Sequence, residues 1–375
     1  CEFVSGSGIM TRIKKSESSS KISPAAAKSG RDHRFTGLDR RRFLKYLSLM
    51  AVTPPALAQS PVPVAVQKIH SFNIRVSDVN RSLKFYQDLF GAPVQARRGE
   101  QVMLRVGDGP HFFSLSPVAA GEQPGFSHIG LSVADFDVDR VRSQLENFGI
   151  RQASSPQRLE DRLALASTSW VKEYGATREL YFADREGIIY HLSSEAYCGG
   201  SGVLGETCSN AEAAPGPGML RLVDYSHFTN FMGNRNRAND FYTRAFGKSY
   251  QAYQGPTSPV IGVGDGIQFL MYVGGDTPGT PEAPGRIDHV CFSVTNFDVE
   301  TILAQLTDYG LGAREDPSDT QAMMHWISMR MPNRGGAEGG TPELYFSDPD
   351  GIRIQLQDAG YCGGTGYLGD DCPPL

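Results

Sequence analysis

The 375-residue chain carries 36 Lys/Arg against 41 Asp/Glu, a net charge of −5, and 40% hydrophobic residues. That is length and apolar content for two ordinary domains with full cores. No apolar run approaches bilayer length, which excludes a transmembrane helix from the body of the chain.

The first 58 residues read as a leader rather than as part of a fold. Residues 11–45 are basic and Ser-rich and end in Asp39-Arg40-Arg41-Arg42-Phe43-Leu44-Lys45. A short apolar stretch, YLSLMAV, and a small-x-small site at Ala56-Leu57-Ala58 follow. A charged start, an apolar middle and a cleavage site make a secretory signal. The arginine run followed by Phe-Leu-Lys resembles the twin-arginine signal, which implies the twin-arginine export machinery as a partner and a periplasmic or secreted destination. Without this leader 25 Lys/Arg face 37 Asp/Glu, a net −12. So acidic a body, with no basic cluster, argues against nucleic acid as a partner.

The body is written twice. ELYFADREGIIYHLSSEAY, from Glu179 to Tyr197, returns as ELYFSDPDGIRIQLQDAGY, from Glu343 to Tyr361. Each copy reads as strand, tight turn, strand, and Asp184 and Asp348 are expected to hold their turns through side-chain to backbone bonds. A Pro/Gly/Ala linker over 209–219 separates the halves, placing one domain at 66–200 and a second at 220–362. Within each half two units follow one plan, a strand, a helix, then strands.

In chain order, KIHSFNIRV is a strand and Asp78 caps a helix through VNRSLKFYQDLF that stops at Gly91. Val79, Leu83, Tyr86 and Phe90 form its apolar stripe. Strands QVMLRV and HFFSLS close the unit. The second unit opens with FSHIGLSV, places Asp135 before a helix FDVDRVRSQLENF ended by Gly149, and closes on the Asp184–Gly187 hairpin. The second half repeats this with SHFTNFM, a helix NRNRANDFYTRAF ended by Gly247, IDHVCFSV, and FDVETILAQLTDY ended by Gly310.

Cysteines agree with export. YCGGSGVLGETC and YCGGTGYLGDDC place Cys198 with Cys208 and Cys362 with Cys372, ten residues apart in Gly-rich text. They read as two disulfide-closed loops, the second forming a tail over 363–375. A thiolate metal site is the rival, but two thiolates with no adjacent His make a poor zinc set. Cys291, on an apolar strand, reads as a buried thiol. Glu179 and Glu343, which also recur, read as candidates for a structural ion pair.

The strand–Asp–helix–Phe-Tyr pattern (Asp78 with Phe85-Tyr86, then Phe241-Tyr242), the strand-borne His128 and His289, and the closing Asp348-Pro349-Asp350-Gly351 turn resemble the vicinal oxygen chelate superfamily. That group contains glyoxalase I, extradiol dioxygenases and bleomycin-resistance proteins. The resemblance implies an α+β fold of four βαβββ modules in two tandem domains, each pair of modules curling a mixed sheet around a cleft. It also implies a divalent metal (Fe, Mn, Ni or Zn) in one cleft, held from the opening strands and from a residue seven past the turn Asp.

In the second half those positions are His227, His289 and Gln355. In the first they are Ser71, His128 and His191, with His70 one residue out of register and expected to face the other side. Two imidazoles and an oxygen donor leave coordination positions open for substrate. Gln355 stands where a carboxylate is usual and is the weaker donor.

Leu344-Tyr345-Phe346-Ser347-Asp348-Pro349-Asp350-Gly351 matches the core of the extradiol dioxygenase signature, which implies Tyr345 as a substrate hydrogen-bond partner. The His of that signature is missing from GGAEGGTP over 335–342. His325 is the candidate acid/base replacement, provided its side chain faces the cleft. Two functions stay open. One is a metal-dependent dioxygenase-type or lyase/isomerase enzyme acting on a small oxygen-rich or aromatic molecule. The other is a metal-free protein that sequesters such a molecule, as bleomycin-resistance proteins do. A homo-oligomer is compatible with either.

Overall fold

A computed structural model of the chain describes residues 63–156, 159, 161–279, 281 and 283–372. The leader over 1–58 and the last residues of the tail, 373–375, lie outside the described residues.

The first half runs β1 (Val66–Val76), α1 (Val79–Phe90), β2 (Val94–Arg98), β3 (Gln101–Arg105) and β4 (Phe112–Pro117). Its second unit runs β5 (Gly125–Val133), α2 (Val138–Asn147), β6 (Arg151–Gln152), β7 (Thr168–Tyr174), β8 (Thr177–Ala183) and β9 (Ile189–Ser193). The second half repeats the order. Its third unit is β10 (Leu222–Met232), α3 (Arg235–Phe246), β11 (Tyr250–Tyr253), β12 (Pro259–Gly262) and β13 (Phe269–Gly274). Its fourth is β14 (Arg286–Val294), α4 (Val299–Tyr309), β15 (Gly312–Ala313), β16 (Met324–Arg330), β17 (Thr341–Ser347) and β18 (Arg353–Asp358).

Each half makes one nine-stranded mixed sheet of the same topology, β2-β3-β4-β1-β5-β9-β8-β7-β6 in the first. The opening strands of the two units, β1 and β5, pair antiparallel at its centre, and each pairs parallel with its unit's last strand. The first sheet is curled. Arg98 on β2 and Glu179 on β8 are six strand positions apart, about 29 Å in a flat sheet at ~4.8 Å per strand. Their side chains nonetheless bond at 2.8 Å, which closes the sheet around a cleft.

The helices begin where short polar side chains satisfy the free amides of the first turn. Asp78 accepts from the amides of Asn80 and Arg81, Asn234 from Arg237, and Asp298 from Thr301. At the far end of α1, Gly91 adopts a φ of 62°, and a Cβ there would lie 2.2 Å from the Pro217 carbonyl oxygen. Only glycine meets both demands. The second helix departs from expectation. Its cap is Asp137, and Asp135 instead sits in a left-handed turn at φ 48°.

The two halves share one apolar core. Phe72 of the first half packs against Phe113 and against Tyr225, Phe228 and Phe292 of the second, with ring centroids 5.4–5.8 Å apart. The stripe on α1 is therefore wider than its sequence spacing implies. Phe85 and Leu89 are buried as well, because Phe85 meets Phe346 and Tyr309 from the other half. Each closing turn docks on the first helix of the opposite half. Asp350 accepts from the Ser77 amide and from Arg81, and Glu186 accepts from the Gly233 and Asn234 amides and Arg237. A carboxylate at a helix N-terminus is favoured by the unpaired amides there.

Both cysteine pairs, Cys198–Cys208 and Cys362–Cys372, are disulfide-bonded, and Cys291 is free and buried. The disulfides point to an oxidising environment. Among the described residues no helix is long and apolar enough to cross a membrane.

Candidate metal centre and ligand cleft

Register brings six side chains of the second half into one row across six strands. Phe269 lies beside His227, His227 beside Cys291, Cys291 beside Gln355, Gln355 beside Tyr345, and Tyr345 beside Trp326. Directly paired residues share a face, so the row looks into one cleft. His289 joins from two residues back on β14, and its ring centroid lies 5.6 Å from that of His227 at 80°. The expected trio of His227, His289 and Gln355 is thus gathered on one face, with exposures of 2%, 6% and 1%.

The back of each imidazole is tied. His289 Nδ1 donates to Asp288 Oδ2 at 2.9 Å, and His227 Nδ1 lies 3.1 Å from Ser226 Oγ. Burial pushes the Asp288 carboxyl up, but its bond from His289 and the charges of Arg353 and Arg286 outweigh this and hold it ionised below the usual range. The carboxylate of Asp288 accepts the Nδ1 hydrogen bond and so fixes the orientation of the His289 ring. Burial and the neighbouring His289 push the His227 imidazole well below its ordinary value, so it is neutral. His289 Nε2 is buried without a partner, and the buried Gln355 amide lies against His227, whose imidazole it favours in the charged form. Among the described residues no group of three His, Cys, Asp or Glu is placed for a metal, so any set here needs the Gln355 amide.

Beside this row, on the same face, sits a second one of ionic character. Arg330, fully buried, donates from Nε to Glu343 Oε1 at 3.0 Å, while Tyr345 and Tyr361 each direct a hydroxyl at Glu343 at 3.4 Å. In the first half Arg98, Tyr181 and Tyr197 converge on Glu179 at 2.6–2.8 Å. The recurring glutamates are therefore structural anions, each charge offset by an arginine from a different strand.

The first half repeats the row with other chemistry: Phe112, Ser71, Gly130, His191, Tyr181 and Trp170. Residues 68–161 match the family described as Glyoxalase/Bleomycin resistance protein/Dioxygenase superfamily. That match covers the opening part of the first half, and it is to this family that those residues are similar. Two solved structures share the chain's architecture. Homoprotocatechuate 2,3-dioxygenase from Brevibacterium fuscum, in its complex with 3,4-dihydroxyphenylacetate, is 20% identical with a TM-score of 0.53, over 80% of this chain and 83% of that one. The Mn(II)-bound glyoxalase from Novosphingobium aromaticivorans is 16% identical with a TM-score of 0.52, over 78% and 82%. At such identity the likeness is one of fold. No curated protein matches the sequence.

Two expectations about strand-borne histidines need correction. The first is His325 as an acid/base residue facing the cleft. It lies on β16 beside Trp326, which faces the cleft, and its own Nε2 bonds Thr307 on α4 at 2.9 Å. Alternation along the strand therefore turns it to the helix side, away from Tyr345. The second is His70 on the opposite face from Ser71. A register shift between Ile69 and Ser71 breaks the alternation there, as bulges do. His70 instead packs near Phe112 and Tyr197, with Nε2 on the Tyr197 carbonyl at 2.5 Å.

Asp288 and Ser226, the residues that orient the imidazoles, are not among the sequence-derived candidates. Both stand immediately before a histidine at a register shift, and a polar residue preceding a strand-borne His is the signal that marks them.

Proposed function

We propose that the second half holds a divalent cation (iron, manganese, nickel or zinc) through His227, His289 and Gln355. On this reading the protein is a metal-dependent enzyme of dioxygenase or lyase/isomerase type. The carrying observation is the buried, partnerless His289 Nε2 together with the Gln355 amide set against the His227 ring, beside imidazoles already oriented from behind. An unmet acceptor buried in a protein costs about 1–3 kcal/mol, which a bound cation would offset. When bound, such an ion supplies Lewis acidity and open positions for the adjacent oxygens of a small oxygen-rich or aromatic molecule.

The chain's own residues have defined parts. Asp288 and Ser226 fix ring orientation. Tyr345, whose hydroxyl is pushed well above its ordinary value by burial and by Glu343, keeps its proton on the Glu343 side and offers its oxygen as a hydrogen-bond acceptor toward substrate. Trp326, stacked on Tyr345 at 5.4 Å, walls the cleft with an aromatic face. A cavity of about 300 Å³ bounded by Asp288, Trp326 and Arg353 adjoins these residues and offers an approach. The leader motif and the disulfides support export to the periplasm or beyond.

The second reading is metal-free binding of a planar molecule. It is favoured by the aromatic packing of Phe269 on His227, with centroids 4.4 Å apart. Equilibrium dialysis against Mn(II) separates the two. Metal uptake should vanish in His289→Ala and tighten in Gln355→Glu, which restores a carboxylate. Uptake unchanged in both variants would sink the metal reading.

A further inference from the structure

A histidine pair in the first half lies outside every set described so far. Strands β1 and β4 pair parallel from Ser71 and Phe112 onward, and His70 and His111 are the residues one position earlier. Their ring centroids lie 5.1 Å apart at 63°. The duplicated text has Ser226 and Gln268 at these places. Gln268 is spent on backbone, accepting from the Ile69 amide at 2.7 Å and donating to the Tyr225 carbonyl at 3.0 Å. The paired imidazoles are therefore a feature of the first half alone.

His70 is 1% exposed, and one of its ring nitrogens is committed. A carbonyl can only accept, so Nε2, 2.5 Å from the Tyr197 oxygen, carries the hydrogen. In the neutral ring the lone pair then lies on Nδ1, which is buried with no partner. Burial lowers the His70 imidazole to about 3 and the His111 imidazole to about 4, so both are neutral near pH 7. An imidazole held through one N–H by a backbone carbonyl, with its other nitrogen bare, has the usual arrangement of a metal ligand. His111 is half-buried, which leaves the pair open to solvent on its side. Two imidazoles holding one ion at ~2.0–2.1 Å, with a tetrahedral angle between them, have ring centres about 5 Å apart. The observed separation fits that distance. Lys68 is the positive charge nearest both rings, and Asp224 offsets it at 2.7 Å.

We propose that His70 and His111 form a Cu(II) site, separate from the donor set of the second half. His70 Nδ1 and one nitrogen of His111 are its protein ligands, and water fills the remaining positions. An uncharged pair of nitrogens selects against Mg(II) and Ca(II), which take oxygen ligands. Among first-row divalent ions, affinity at a given nitrogen site peaks at Cu(II), and imidazole suits it. The site stands independently of what the second half binds, because it uses side chains of the first half alone.

The test is titration of the full chain with Cu(II), read by calorimetry and pulsed EPR. A His227→Ala/His289→Ala background removes the second-half donors. One equivalent of Cu(II) should bind saturably, and its spectrum should report two coordinated imidazoles. His111→Ala, which removes only a half-buried ring, should weaken this binding at least about tenfold. His191→Gln should leave it unchanged. Circular dichroism confirms that each variant is folded. Absence of saturable binding to the folded chain overturns the proposal. So does binding that survives His111→Ala, that is lost in His191→Gln, or that shows fewer than two imidazoles.

Discussion

The Tyr86 hydroxyl donates to Asp348 Oδ2 at 3.0 Å, joining the first helix of one half to the closing turn of the other. The reciprocal bond, Tyr242 to Asp184 Oδ2 at 2.8 Å, is its counterpart in the duplicated text. Each aspartate uses its other oxygen to hold its own turn, Asp348 through the amides of Asp350 and Ile352 and Asp184 through those of Glu186 and Ile188. These two bonds fasten the shared core at equivalent points. Replacing Tyr86 or Tyr242 by Phe keeps the ring packing and removes one buried bond. A loss of about 1–2 kcal/mol is expected for each, read from urea unfolding midpoints. A double variant no less stable than the wild type would show that the halves do not depend on these tyrosines.

The same aspartates give a pH dependence of defined sign. Burial raises both carboxyls from 3.8 to about 6, even though their hydrogen bonds pull the other way. A raised folded value means that the native state binds protons more tightly than the unfolded chain. Their contribution to stability is therefore full below about pH 4 and is lost as pH rises through about 6. Subtracting the stability profile of Asp184→Asn/Asp348→Asn from that of the wild type should isolate this fall between those limits. A difference that is flat across the window, or that rises with pH, would contradict the assignment.

Arg330 is buried with its guanidinium on Glu343 and on the carbonyls of Gly335 and Gly364. Removing it strands a buried carboxylate. Arg330→Ala should cost about 3–5 kcal/mol in chemical denaturation. Adding Glu343→Gln to that variant should restore part of the loss, because the uncompensated charge is then gone. If the double variant were less stable than Arg330→Ala, the glutamate would be held by something other than this pair.

The disulfides close loops that carry cleft residues, since Tyr197 immediately precedes Cys198. Cys198→Ser/Cys208→Ser should lower stability by about 2–3 kcal/mol. In the native mature protein Cys291, fully buried, should resist thiol reagents until the chain unfolds. Rapid native labelling of Cys291 would place it at a surface that the fold denies it.

Much of the architecture is legible in the sequence, because duplicated text reports the same local rule twice. Asp78, Gly91, Gly247 and Gly310 bound their helices as a short capping residue and left-handed glycines do. The superfamily pattern picks out His227, Gln355 and Tyr345, and strand register brings them to one face. The features that are not legible are long-range or depend on a broken period. The register shifts next to Ser71 and His227 reorient His70 and Ser226, and no residue type in those strands announces a bulge. Strands β2 and β7 escape the pattern because their polar ends, Arg97-Arg98 and Lys172-Glu173, obscure the alternation. The docking of Asp350 and Glu186 on the opposite half's helices links residues far apart in the chain. Neither end carries a local signal for it.

The central claim is that His227, His289 and Gln355 hold a divalent cation. The direct measurement is metal content by mass spectrometry of the protein isolated from its natural source, beside His227→Ala/His289→Ala. Near-stoichiometric iron, manganese, nickel or zinc that disappears in the variant is the expected result. An equal, trace content in both proteins, with the fold intact by circular dichroism, would contradict it and leave the aromatic-lined cleft as a site for a metal-free ligand.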